Sequence, residues 1–185
     1  MTTIKGHKIN LRPLDVADTA VLFSYRSLPE VYRYQQWLPE SVADALSFIE
    51  SYGFDRQAIR DRWNQFAVIE TPSGQLIGDC GFCLCSEGEA EIGYTIMPTL
   101  QGRGHGTDCV KTLITFLFDQ LPLHSIKAVT DPGNRPSISL LQRLAFTLTS
   151  LSPKATCIRG ELCDDATYHL RRESWVGEGH SQTAS

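Results

Sequence analysis

Apolar residues recur along this chain with two different periods, and each change of period marks an element. KINLR (8–12) alternates as a short strand does, and Pro13 ends it. Asp15 is placed to cap a helix over 16–27, with Val16, Ala20, Leu22 and Phe23 near helical spacing. Pro29 and Pro39 break the next stretch, and Ser41 opens a helix carrying Ala45, Leu46, Phe48 and Ile49 on one face. FAVIE (66–70), LIGDCGFCLC (76–85) and AEIGYTI (90–96) read as strands of a meander, joined by the turn formers TPSGQ (71–75) and SEGE. Val110, Leu113, Ile114, Leu117 and Phe118 then stand at i, i+3, i+4, i+7 and i+8, which predicts a helix over 103–118 facing a core. SIKAVT (125–130) returns to strand, a short helix covers Ser137–Leu144, and FTLTSL (146–151) and ATYHLRR (166–172) are strand-like. The expectation is an α/β (α+β layered) fold with a mixed sheet of about seven strands, helices on its faces, and one domain over 1–176. GEGHSQTAS (177–185) reads as a flexible tail.

Composition changes this picture little. At 185 residues, 42% apolar and 21% charged, the chain is an ordinary globular one. A net charge of −4 argues against nucleic acid as partner. No run approaches the roughly 18 apolar residues of a membrane span, and MTTIKGHKINLRP has no signal-peptide core, so the expected location is cytoplasmic. Cys80, Cys83 and Cys85 resemble a metal knuckle only briefly. In a strand Cys83 and Cys85 share one face and Cys80 takes the other, so reduced, partly buried thiols and no metal are expected.

The densest chemistry lies in PTLQGRGHGTDCVKTLITFLF (98–118), where glycines crowd the start of a helix. Free N–H groups and the positive end of the dipole make such a start a phosphate cradle. A Walker loop is excluded, because His105-Gly106-Thr107 supplies no Lys-Ser or Lys-Thr pair. A dinucleotide fingerprint fails at its third glycine, which falls on Thr107 or Cys109, and a β meander precedes the loop. Gln101-Gly102-Arg103-Gly104-His105-Gly106 instead resembles, at every position, the Q/R-x-x-G-x-G/A acetyl-CoA loop of the GNAT (GCN5-related N-acetyltransferase) superfamily. LRPLDVADTAVLFSYRSLPEVYRYQQWLPE, Asn134-Arg-Pro-Ser137 before LLQRLAF, and TYHLRRESW resemble its ribosomal-protein (RimJ/RimL-like) subgroup. Two positions depart from that subgroup: Ala145-Phe146 replaces Gly-Phe, and Thr107-Asp108-Cys109 replaces Thr-Glu-Ala. Both read as packing variants.

The resemblance implies an N-acetyltransferase whose sheet splays at the acetyl-CoA site. Backbone N–H groups of Gln101, Gly102, Arg103, Gly104, His105, Gly106 and Thr107 would hold the pyrophosphate. Ile96 and Met97 would pair with the pantetheine arm, and Asn134 and Ser137 would contact the cofactor near its sulfur, Ser137 donating to the thiolate. Helix capping accounts equally for Asn134. Direct attack by a primary amine needs a base, for which Glu89, Glu91 and His169 are candidates. Tyr168 and His169 point to opposite faces, and Tyr168 joins Glu91, Asn134 and Ser137 as a catalytic candidate. The acceptor is a protein N-terminal amine or a small primary amine. Arg26, Arg33, Arg56, Arg60 and Arg62 are either an acidic-ligand surface or a solvated face, and 152–165 is expected to be a loop beside the substrate. A non-catalytic acyl-CoA sensor of the same fold is the alternative, and homodimers are implied by analogy alone.

Overall fold

The computed structural model describes residues 3–54 and 57–175, so the 177–185 tail and Arg56 lie outside the described residues. Among the described residues eight strands form one sheet in the order β1-β2-β3-β4-β5-β6-β8-β7, one more than the sequence pattern gives. They are β1 (Ile4–Lys5), β2 (Ile9–Pro13), β3 (Trp63–Glu70), β4 (Leu76–Ser86), β5 (Glu89–Ile96), β6 (Ser125–Thr130), β7 (Thr147–Ile158) and β8 (Glu161–Arg171). Every pairing is antiparallel except β5 with β6, which the crossover helix α4 (His105–Gln120) joins. The extra strand is β1, two residues long and paired with Leu11 and Asn10.

Local chemistry explains the element ends. Asp15 accepts from Ala17 N–H, and Asp18 bonds back to the Asp15 N–H, a reciprocal cap that starts one tight turn and then α1 (Thr19–Arg26). Pro29 begins α2 (Pro29–Tyr32) where a break was expected; its fixed φ and missing N–H suit a first helical turn. Ser41 and Asp44 repeat the reciprocal cap for α3 (Val42–Tyr52). Asn134 caps α5 (Arg135–Arg143), two residues earlier than the sequence pattern places it, with Pro136 in the first turn.

The last hairpin departs most from expectation. Residues 152–165 are the outer half of β7 and β8 and the turn between them. Arg159 and Gly160 both have positive φ (49° and 83°), as a two-residue hairpin turn requires. Lys154 (φ 52°) lies where the register shifts between Ser152 and Thr156, so a bulge carries the strand past Pro153. Ala145 has φ 64° behind α5, with Phe146 N–H on the Leu141 carbonyl and Ala145 N–H on that of Gln142. That left-handed cap favours glycine, the residue the resembling subgroup carries there. Ala145→Gly is therefore expected to raise stability by about 1 kcal/mol, read as a higher urea midpoint with an unchanged slope.

Two cores sandwich the sheet. On one face Val110, Leu113, Ile114 and Leu117 of α4, all fully buried, pack with Leu140 and Leu141 of α5 against Phe66, Phe82 and Ile92. Each such side chain contributes roughly 1.5–3 kcal/mol of burial. On the other face Leu22 and Tyr25 of α1 and Ala45 and Ile49 of α3 cover Ala67. Asp108, at one of the two departing positions, ties the edge of the sheet to α4: its carboxylate accepts from the N–H groups of Lys8 (2.6 Å) and Ile9 (3.1 Å). Cys80 and Cys83 lie on opposite faces of β4, Cys80 in the α4 core, where burial and then Cys109 push its thiol well up.

Candidate active site

The parallel strands β5 and β6 pair only from Glu89–Ser125 to Ile92–Ala128; beyond Ile92 they part into a fork. Ile92, Tyr94 and Ile96 face α4 and α5, while Glu91, Gly93 and Thr95 face α1 and α3. Met97 N–H donates to the Ile77 carbonyl, following β4, at 2.9 Å. Main-chain groups alternate sides, so those of Tyr94 and Ile96 point away from β4, into the fork. The Ile96 carbonyl accepts from Gln101 Nε2 at 2.8 Å, which binds the loop to the rim of the fork.

That loop has its two left-handed residues at Gly102 (φ 75°) and Gly104 (φ 86°), the second as N-cap of α4. Nothing lies within 4 Å of where a Cβ of Gly102 would stand, so the loop is open on that side. A Cβ on Gly106 would come within 3.2 Å of Leu140, and its absence lets α5 close on the start of α4. Asp108 N–H makes the first helical bond, to Gly104, leaving the N–H groups of His105, Gly106 and Thr107 without helical acceptors. Cations surround the loop. Lys8 Nζ sits on the Arg103 carbonyl at 2.9 Å, Arg103 Nη2 on the Thr99 carbonyl at 3.2 Å, and Arg143 Nη2 lies 3.5 Å from Thr107 Oγ1. The His105 ring is turned away and buried, Nδ1 on the Leu100 carbonyl (3.2 Å) and Nε2 beside Glu70 (3.3 Å). It fastens the loop, while its backbone N–H is left without a helical acceptor.

Across the fork, Asn134 Oδ1 accepts from Ser137 N–H (3.3 Å), and Ser137 Oγ lies 2.9 Å from the Tyr94 hydroxyl. Burial pushes the Tyr94 phenol up to about 12, the Ser137 bond acting the other way.

The family model described as an acetyltransferase (GNAT) domain matches residues 8–147. The chain belongs to the GNAT family of acetyltransferases. The uncharacterized N-acetyltransferase p20 of Bacillus licheniformis is 31% identical over 183 residues, 96% of this chain and all of that one. The fold is that of a GNAT-family acetyltransferase from Bacillus anthracis (TM-score 0.83, 20% identity, 93% of this chain and 99% of that one). It is also that of Mycobacterium smegmatis RimJ in complex with CoA-disulfide (TM-score 0.81, 20% identity, 93% of this chain and 88% of that one).

Within this GNAT domain the proposed bases do not converge. Glu89 is held at the closed end of the fork by Ser125 Oγ (2.8 Å) and His169 Nε2 (3.3 Å), about 16 Å along β5 from Tyr94. His169 is held in turn by Thr149 (2.7 Å). Glu91 is one row behind the opening and ion-paired with Lys127 at 2.8 Å. Tyr168 is buried opposite Ala128 and Leu148, in the row where the fork opens and on the α4 face. Gln101–Thr107, Ile96, Asn134 and Ser137 do come together; the Met97 N–H is taken by the Ile77 carbonyl of β4.

The other side of the fork holds residues that sequence reasoning missed. Asp79, fully buried on β4, accepts from the Tyr25 hydroxyl (2.5 Å) and from Arg26 Nε (2.9 Å) and Nη2. Burial disfavours the Arg26 charge, and Asp79 more than offsets it, so the guanidinium pKa is raised. Arg26 is thus no surface cation; it is committed to the core. Its Nη1 donates to Gln35 Oε1, and Gln35 Nε2 donates to Thr95 Oγ1 (2.8 Å) in the parting half of β5. Arg159, at the β7–β8 turn, donates to the carbonyls of Tyr32 (3.0 Å) and Gln35 (3.1 Å), and Tyr34 donates to Gly133 (3.4 Å) beside Asn134. The 32–35 segment therefore forms a strap over the α1–α3 side of the fork. Arg33 stacks on Tyr34, its guanidinium 4.4 Å from the ring centre. Sequence does carry one signal for Tyr94: strand alternation puts it with Ile92 and Ile96, a hydroxyl on an apolar face. For Asp79 and Arg26 the only signal is their placement in apolar runs.

Proposed function

We propose that this GNAT enzyme moves an acetyl group from acetyl-CoA to a primary amine by direct attack in a ternary complex. The acceptor is a protein N-terminal α-amine, of ribosomal-protein type, or a small amine. The opening of β5 from β6 after Ile92, with the glycine loop at its mouth, carries the reading. The residues fit the cofactor. Gly102 leaves open space for a phosphate, and the unpaired first-turn N–H groups of α4 and the flanking Lys8, Arg103 and Arg143 suit its charge. The Ile96 main chain faces the fork where the pantetheine arm would lie, and Asn134 and Ser137 border its far side. When bound, acetyl-CoA supplies the activated acetyl thioester.

The chain's own part is to orient and to manage protons. Ser137 offers a hydroxyl for the leaving sulfur. Glu91 spends one carboxylate oxygen on Lys127 and lies behind the opening, so its service as a base runs through water. An α-amine titrates at about 8 and needs little help at neutral pH, whereas a lysine amine at about 10.4 needs more. The strap at 32–35 and the Arg159 turn that holds it border the side from which the amine would approach. The test offers acetyl-CoA with peptides free at the α-amine, the same peptides blocked there but carrying lysine, and small primary amines. Released CoA and acetylated product are followed by thiol assay and mass spectrometry. Acetylation of free α-amines or small amines, with the blocked lysine peptides left unmodified, is expected. Acetylation confined to lysines, or of no amine at all, contradicts the reading.

A further inference from the structure

The Tyr94–Ser137 pair is the one polar contact described above that bridges the fork from β5 to α5. Tyr94 sits directly opposite Cys80 of β4 and packs against the core cluster that also holds Cys109 of α4. The titratable and polar groups facing it are therefore Cys80 from β4, Cys109 from α4 and Ser137 from α5, all uncharged while the thiols are protonated. In those surroundings the phenol keeps its proton at neutral pH, its pKa pushed up to about 12 by burial. It therefore has a proton to give Ser137 Oγ, in a pair where either hydroxyl can be the donor. A serine hydroxyl has a single proton, and accepting from Tyr94 leaves that proton to point elsewhere. Asn134, which holds the Ser137 N–H, fixes the turn from which the hydroxyl projects.

We propose that Tyr94 is a positioning residue for acetyl transfer: its hydroxyl donates to Ser137 Oγ and so turns the Ser137 proton into the fork, toward the thioester sulfur. This rests on the acetyl-CoA reading above. As the amine nitrogen bonds the acetyl carbon, the carbon–sulfur bond breaks and its electron pair goes to sulfur, where the Ser137 O–H meets it. The proton that nitrogen loses is the one the thiol finally gains, so no other reactant is needed. Tyr94 keeps its own proton throughout; its contribution is direction and polarisation.

The test needs no amine. The pKa of the CoA thiol in the complex is measured from far-ultraviolet thiolate absorbance, taken as the difference between the complex and its separate components. Affinity for CoA comes from calorimetry. Wild type, Tyr94→Phe, Ser137→Ala and the double variant are compared. Each single variant is expected to raise the bound thiol's pKa by about one unit, a tenfold loss of thiolate, with the double variant no worse than either. A Tyr94→Phe protein in which the thiol titrates as in wild type overturns the proposal, whatever Ser137→Ala does. Should Tyr94→Phe fail to melt cooperatively, wild type grown with fluorotyrosine, a stronger phenol donor, is titrated instead. The thiol pKa is then expected to fall, and no change overturns the proposal. Wild type that does not bind CoA at all overturns the acetyl-CoA reading itself, a separate outcome.

Discussion

Gly104→Val is expected to lose at least ~100-fold in acetyl-CoA affinity, about 2.7 kcal/mol, while keeping a cooperative fold. Gly104 is the N-cap of α4 at φ 86°, a left-handed conformation that costs a residue with a side chain about 1–2 kcal/mol. A β-branched residue is the worst choice there. Its Cβ would also stand 3.2 Å from Lys8 Nζ, which sits on the Arg103 carbonyl. Relief requires the loop to rotate, and rotation redirects the N–H groups of His105, Gly106 and Thr107 that a pyrophosphate would meet. Each hydrogen bond to a charged group is worth about 1.5–3 kcal/mol, so misdirecting one or two accounts for the loss. Gly102→Ala is the control. It bears the same backbone sign at φ 75° but has nothing within 4 Å, so its loss is expected to be the smaller. Calorimetric titration with acetyl-CoA measures both.

Asp79→Ala is expected to be the most destabilising of these changes, by about 3–5 kcal/mol, which lowers the melting midpoint by roughly 10 °C. The carboxylate is fully buried and answers three donors, from Tyr25 and Arg26. Removing it leaves a guanidinium and a phenol in the core without their acceptor, and the charged one dominates the cost. Asp79→Ala combined with Arg26→Met is expected to recover much of the stability, because an apolar pair needs no compensation. Gln35 then loses its Arg26 partner as well, and with it the strap beside Thr95. Such a protein is expected to bind acetyl-CoA normally, since the glycine loop lies by the opposite face, and to show a raised KM for its amine. Scanning calorimetry and steady-state kinetics separate the two effects.

Elements whose patterns are local were legible. The i, i+3, i+4 stripe from Val110 to Phe118 and the caps at Asp15 and Ser41 are properties of a few adjacent residues, and helices stand there. The glycine loop was legible for the same reason: Gly102 and Gly104 mark positive φ within one short turn. The outer half of the β7–β8 hairpin was not, because nearly all of β7 is exposed and lacks an apolar alternation to read. Its one local signal, Arg159-Gly160 as a two-residue turn, is weaker than an Asn-Gly or Asp-Gly pair. The site suffered most where function depends on register. That Glu91 pairs with Lys127 and Glu89 with Ser125 follows from how β5 meets β6, which no run of residues in either strand specifies. The Asp79–Arg26–Gln35–Thr95 chain links positions 26 to 95 and exists only once α1 lies on the sheet.

The central claim is that the fork and its glycine loop hold acetyl-CoA. The most direct measurement is a calorimetric titration of the wild-type chain with acetyl-CoA, CoA, ATP and NADH. Saturable one-to-one binding of acetyl-CoA and CoA, absent for ATP and NADH, is the predicted result. No binding of either coenzyme A species by a folded protein would contradict the account.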